Sequence, residues 1–278
     1  MKSMPVKAAL RSAFVLVLVL SIWHLYVLSD GSAAPDMDPE YAALMGQSAK
    51  GESALPTPAD VGREIWTHLT DPFYDKGPND KGIGIQLAWS LFRVLSGFLL
   101  AAMVAIPLGF LIGMFPLFQQ SLNPFIQMLK PVSPLAWMPL ALYTIKDSGQ
   151  SAIFVIFICS IWPMLTNTAF GVAGVRKEWV NVARTLEVSN LRTAFKVILP
   201  AAAPTIVTGM RISIGIAWLV IVAAEMLVGG TGIGYFGWNE WNNLSITGVI
   251  SAIFFIGVVG MLLDMALAGV AKAVSYAE

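Results

Sequence analysis

Six stretches of this chain are long and apolar enough to cross a bilayer, and nothing else in the sequence constrains the fold as much. A bilayer core is about 30 Å thick and takes about 20 mostly apolar residues in helical form. The stretches are 9–29, 86–114, 121–145, 150–173, 203–228 and 246–272. The first holds Ala13–Leu28, 16 residues without a formal charge, and in the last Ile246–Ala271 is interrupted only by Asp264. None alternates with the period of two that a membrane barrel strand needs, so the spans read as helices and the fold class as an all-α membrane protein. Composition agrees: 56% hydrophobic and 12% charged residues leave too few polar side chains to cover a soluble surface, and they exclude disorder.

Several function classes fall away. The net charge is zero, so no global basic field points to nucleic acid. Cys159 is the single cysteine and the two histidines, His24 and His68, stand 44 residues apart; neither a disulfide, a CxxC redox site nor a zinc cluster follows. Cys159 reads as a small buried apolar residue. No nucleophile–base pair marks a membrane-anchored enzyme.

The first span begins after Lys2, Lys7 and Arg11 and is followed by Ser32-Ala33-Ala34, the pattern of a signal peptide or of a retained helix. Its length, Trp23 and Tyr26 at its far end, and Pro35 favour a retained helix. Basic residues flank the cytoplasmic ends of spans. Lys2, Lys7 and Arg11 and the set Arg176, Lys177, Arg184, Arg192 and Lys196 fall on one side of a six-span chain. Segment 30–85 lies opposite, with ten acidic residues against four basic ones, a net charge of −6. Both termini are therefore expected inside. The organisation expected is an N-terminal membrane helix (1–29), an extracytoplasmic segment (30–85), a core of five membrane helices (86–272) and a short cytoplasmic tail (273–278).

Two connections exceed what a bundle requires. The first part of 30–85 is polar and expected to be irregular. Thr57-Pro58 then reads as a helix cap and first helical residue, with Val61, Ile65, Trp66 and Leu69 on one face. That helix either lies along the outer membrane surface or packs on the bundle. The segment 174–202 is basic, amphipathic and long enough for two short helices. It is a docking platform, or an interfacial helix held by anionic lipid.

Within that segment the residues carry a resemblance. Asn181-Val182-Ala183, then Glu187, then Val197-Ile198-Leu199-Pro200 resembles the EAA loop of ABC-importer permeases: Glu-Ala-Ala, three residues, Gly, nine residues, Ile-x-Leu-Pro. The spacing matches in full. Asn181 stands for the usual Glu, and Glu187 for a Gly that permits a tight turn. The runs 130–142, 153–172, 208–227 and 229–244 are similar to the nitrate-import permeases, which sit beside the bicarbonate, aliphatic sulfonate and taurine permeases.

The resemblance implies a six-helix type I ABC-importer transmembrane domain in the cytoplasmic (inner) membrane. It implies a second permease copy, two ATPase subunits below, an external solute-binding protein or lipoprotein, and inward movement of nitrate or a related small anion by alternating access. The ATPase-coupling residues would be Asn181, Val182, Ala183, Arg184, Leu186, Glu187, Leu199 and Pro200, with Arg184 a charged contact and Leu186 an apolar anchor. No G-x-x-x-x-G-K-[ST] occurs in the chain, so no cofactor is expected on it, and ATP and its magnesium would belong to the partner ATPases. An autonomous ion-coupled carrier is the alternative from another class; inverted repeats would support it, and the sequence shows no convincing repeat.

Five charges fall inside the spans: Arg93, Lys130, Arg211, Glu225 and Asp264. Such charges are costly and default to functional hypotheses. Counting depth along each span places Arg93 and Glu225 in the outer half and Arg211 and Asp264 in the inner half, so two complementary pairs are possible, as helix–helix contacts or as parts of a site. Lys130 has no obvious partner and stands beside Pro131, Pro134 and Pro139. It marks an anion path at a broken helix or snorkels to the inner interface. The candidate pathway set is Lys130, Pro134, Trp137, Asn167, Arg211 and Trp218, with packing as the plain reading of the tryptophans and hydrogen bonding across helices as that of Asn167 and Thr168. Gly109, Gly113, Gly257 and Gly260 read as close helix packing. Gly232–Gly237 spells G-x-G-x-x-G, but without a βαβ context it reads as a flexible re-entrant or surface turn rather than a dinucleotide site, with Trp238 and Trp241 as interfacial anchors.

Overall fold

The computed structural model describes residues 3–30, 55–77 and 80–274. The expected irregular part of 30–85 lies outside the described residues. Among the described residues the regular structure is all helical, apart from a single Asp75–Lys81 bridge. It divides into two compact units, 1–72 with 239–253, and 73–238 with 254–278.

In the first unit, α1 (Ser3–Asp30) exposes its apolar side chains from Leu10 onward almost throughout, as a lipid-facing helix would. α2 (Pro58–Thr70) starts where Thr57 and Pro58 place it. The Thr57 hydroxyl oxygen accepts from the Asp60 N–H and the Asp60 carboxylate accepts from the Thr57 N–H, both at 3.3 Å, a capping box with aspartate at its third position, and the Thr57 hydroxyl also donates to that carboxylate at 2.6 Å. Val61 is buried, whereas Trp66 and Leu69 are open.

The second unit holds α3 (Ile83–Met114), α4 (Pro116–Leu129), α5 (Pro134–Ile145), α6 (Ser148–Ala173), α7 (Lys177–Thr185), α8 (Asn190–Thr193), a π-helical turn (Ala194–Ile198) and α9 (Leu199–Val228). α10 (Ile233–Asn242) and α11 (Ile246–Val274) follow, each beginning in one unit and ending in the other. Five helices among the described residues are long and apolar enough to span. The expected third span, 121–145, is not one helix. It is α4 and α5, interrupted at 130–133. The prolines are the cause: Pro131 and Pro134 lack donors, and Ser133, before Pro134, is driven to an extended ψ of 136°. With 14 and 12 residues, the two pieces reach about 21 and 18 Å at about 1.5 Å per residue. Neither crosses a 30 Å core alone.

Glycines reveal the directions. A Cβ on Gly97 would meet Ile156, one on Gly109 would meet Thr168 and the Leu165 carbonyl, and one on Gly113 would meet Val172 and the Ala169 carbonyl. Residue numbers rise together, so α3 and α6 are parallel neighbours in close backbone contact. The chain between them must therefore return across the layer, and only α4 and α5 are available to carry it. α9 runs antiparallel to α6: Gly171 packs on Thr205, Gly209 on Asn167, and Ser213 Oγ donates to the Ser160 carbonyl at 2.7 Å. α11 runs antiparallel to α9, with Trp218 Nε1 donating to the Ile256 carbonyl at 2.9 Å. Gly260 abuts Trp218, but Gly257 faces open space, so the packing role expected of it does not hold in this chain.

Candidate functional site

The segment between α6 and α9 forms the two short helices expected, α7 and α8. α7 is seated by its smallest side chain: Ala183 is buried, while Trp179 and Val182 on the same helix, Leu186 at its C-cap, and Leu191 and Phe195 beyond, are exposed. Asn181, Arg184 and Glu187 are exposed as well. The helix ends in a Schellman turn. The Val188 N–H donates to the Ala183 carbonyl and the Glu187 N–H to the Arg184 carbonyl, both at 3.0 Å. Glu187 sits at φ +52°, the left-handed conformation that Gly adopts freely. The turn is as tight as a glycine would make it, and the backbone bears the cost of the larger residue.

Beyond α8 the chain widens into the π turn, then Leu199 and Pro200 open α9. Val172, Ile198, Ala202 and Ile206 form a buried cluster, with Ile106, Phe110, Met114, Val180 and Leu199 packed against it. The platform is thus bolted to the same end of α3, α6 and α9.

At the far end of these helices the structure brings Arg93 and Glu225 together at 2.8 Å, with the Glu225 side chain 2% exposed. The carboxylate also receives the Ser90 hydroxyl at 2.8 Å and the Gly234 N–H at 3.0 Å. Arg93 donates in addition to the Thr231 carbonyl at 2.6 Å. Around this carboxylate the Ile233 N–H donates to Ser90 Oγ at 2.9 Å and the Gly232 N–H to Gln86 Oε1 at 2.6 Å. Gly232, Ile233 and Gly234 are buried. The glycine-rich stretch is therefore a fixed, buried helix start capped by Glu225, so of the expected flexible re-entrant or surface turn the flexibility and the surface position are corrected. Sequence reasoning passed over Gln86 and Ser90. Their signal was present: 86, 90 and 93 recur at i, i+4 and i+7, a polar stripe on one face of an apolar helix.

Arg211 and Asp264 also meet. Nε and Nη2 of the guanidinium each reach one carboxylate oxygen at 2.5 Å, a bidentate fork. Both side chains are half-exposed. Among the other pathway candidates, Lys130 is exposed at the α4–α5 break, Pro134 opens α5, and Trp137 is half-buried. Asn167 donates to the Pro163 carbonyl of its own helix at 2.8 Å rather than across helices as expected, and Trp218 is buried with its N–H on Ile256. Trp238 and Trp241 are exposed. Among the described residues no group of three or more His, Cys, Asp or Glu side chains forms a metal site.

Comparison with known proteins supplies the context. Residues 105–276 match the family described as "Binding-protein-dependent transport system inner membrane component". The chain is 40% identical over 269 residues to the nitrate import permease protein NrtB of Synechocystis sp., covering 97% of this chain and 90% of that protein. It is 49% identical over 214 residues to NrtB of Leptolyngbya laminosa, 77% of each. It is 43% identical over 231 residues to the bicarbonate transport system permease protein CmpB of Synechocystis sp., 82% of each. A chain of the inward-facing MetNI methionine ABC transporter superposes with a TM-score of 0.61 at 14% identity, over 68% of this chain and 94% of that one. The fold is that of a type I ABC-importer transmembrane domain.

Proposed function

This chain belongs to the binding-protein-dependent transport system inner membrane components and is an ABC-importer permease subunit, and on that premise we propose that its cargo is nitrate, carried inward by alternating access. The observation that carries the mechanism is the α7 platform, an exposed amphipathic helix ended by a tight turn and bolted to three membrane helices. Two ATPase subunits would grip it, with Leu186 and Val182 as apolar anchors and Arg184 as the charged contact. ATP and magnesium would stay on those subunits. A second permease copy would complete the pathway, an external binding protein would deliver the anion, and both termini would face the cytoplasm. Movement of α7 then tilts α3, α6 and α9 together, a rigid-body switch.

Bicarbonate is the second reading, favoured by the 43% identity to CmpB. Proteoliposomes holding the permease, its ATPases and its binding protein decide between them. ATP-dependent uptake of ¹⁵N-nitrate is expected to exceed that of ¹³C-bicarbonate; uptake of bicarbonate alone, or transport by this chain without ATPase, overturns the proposal. Lys130 at the helix break is proposed to line the anion path. Lys130→Ala is then expected to lower uptake while the complex still assembles, and unchanged uptake removes it from the pathway.

A further inference from the structure

The two intramembrane ion pairs are built differently, and the difference points to a site. Arg93–Glu225 is closed, with side-chain exposures of 13% and 2% and extra bonds to Ser90, Thr231 and Gly234. Arg211–Asp264 is open, with exposures of 46% and 49%. Arg211 lies 12 residues into the 30-residue α9, about 18 Å from one end and 26 Å from the other at about 1.5 Å per residue. That is inside the hydrocarbon layer. Two half-bare charges there cannot face lipid tails without a heavy penalty, so their open side faces water. Thr208, Arg211, Ile212, Gly215 and Leu219 form an exposed stripe along α9, part polar and part apolar, and a Cβ on Gly215 or Gly257 would meet nothing within 4 Å, so the pair stands at an open face rather than in packed protein.

We propose that Arg211 is an anion-binding station on this water-lined face, with Asp264 holding the station between turnovers. The geometry of the fork carries the argument. A carboxylate gives Arg211 two oxygens on one central atom, in one plane, and a planar inorganic oxyanion offers the same pair. Asp264 is thus an internal stand-in for the cargo. An arriving anion takes the guanidinium and the aspartate swings into water; the aspartate returns as the anion leaves. Binding stays exchangeable because the site never has to hold a bare cation. The inference rests on the proposed anion cargo and assigns it a residue.

The test uses the assembled transporter in proteoliposomes. Arg211→Met combined with Asp264→Leu replaces the pair by apolar side chains of similar bulk, which ordinarily preserves folding. Uptake of ¹⁵N-nitrate is expected to fall about tenfold or more, the scale of a lost charged hydrogen bond, while ATP hydrolysis continues. Wild-type uptake in that variant overturns the proposal. Asp264→Asn leaves the fork free, so its melting temperature in gluconate buffer is expected to rise on adding nitrate, by more than that of the wild type. Melting that is indifferent to nitrate overturns the proposal as well, and this readout needs no transport. A wild-type complex that moves neither nitrate nor bicarbonate defeats the cargo assignment, while the melting shift still decides the site.

Discussion

Replacing Glu225 tests whether its carboxylate is the pin that fixes α10 to α3 and α9. The side chain is 2% exposed and takes three donors: Arg93, the Ser90 hydroxyl and the Gly234 N–H. Glu225→Ala leaves Arg93, itself 13% exposed, as an uncompensated charge and strands the other donors. Breaking such a pair from one side costs about 3–5 kcal/mol. Glu225→Gln keeps the shape. Its amide oxygen still accepts from Arg93, but its NH₂ then meets the Gly234 N–H, donor against donor, so about 1.5–3 kcal/mol is lost. The expected order is wild type, then Gln, then Ala. Arg93→Ala combined with Glu225→Ala should cost less than the sum of the single changes, because neither partner is left bare. Denaturant titration of the purified protein reads the order. Limited proteolysis reads the place, since the segment 229–234 should become the first cleavage site. A Glu225→Ala protein within about 0.5 kcal/mol of wild type, a value ordinary for surface changes, would refute the reasoning.

Other expectations follow from single contacts. Glu187→Gly removes the left-handed strain at φ +52° and should stabilise the platform by up to about 1 kcal/mol, visible as slower hydrogen exchange at the Val188 amide; faster exchange would mean that Glu187 makes a contact worth more than the strain. Gly109→Ala drives a methyl to 2.8 Å from the Leu165 carbonyl and should cost about 1–3 kcal/mol, whereas Gly257→Ala, with nothing near it, should melt like the wild type. The Thr57 hydroxyl holds Asp60 below the ordinary value of 3.8. A carboxylate depressed on folding supports the α2 start above that value and loses its contribution as pH falls through the lower folded one. Carboxyl NMR of labelled protein in nanodiscs should show Asp60 titrating upward in Thr57→Ala, and an unmoved titration would deny the cap its role.

What the sequence revealed and what it hid divide along a physical line. Spans are legible because every backbone group in lipid must bond within its own helix, so length and apolarity suffice. The α2 start was legible because Thr57, Pro58 and Asp60 act on the backbone beside them. Depth counting set Arg93 beside Glu225 and Arg211 beside Asp264, and the structure joins both pairs. Hidden features depend on residues distant in the chain. Nothing local says that Gly232–Gly234 would be gripped by Gln86, Ser90 and Glu225, so its glycines read as flexibility. The break at 130–133 was half visible: the prolines announced disrupted bonding, but hydropathy runs across them and drew one span. Glu187 hid only how tight its turn is: the motif spacing put a turn there, but a glutamate does not announce the left-handed conformation it adopts.

These same contacts determine how force would travel through the bundle. α7 rests on buried Ala183, and its closing turn hands the chain through Ile198 and Ala202 into the cluster shared by α3, α6 and α9. Backbone-close glycines at 97, 109, 113, 171 and 209 leave those three helices no room to slide, and packed interfaces of this kind shift as units rather than deform. Give must therefore lie where packing stops. One such place is the α4–α5 break, where α4 has no buried residue. The other is Gly229–Gly230, at φ +76° and +92°, between the end of α9 and the start of α10 that Glu225 pins. A push on α7 reaches the opposite end of the layer through three helices moving as one, and the pin makes α10 follow them. Cutting the pin should leave the platform intact while uncoupling the opposite end of the helices. Glu225→Ala is accordingly expected to spare ATP hydrolysis and to impair uptake, and equal losses of both would show that the stress does not run along this line.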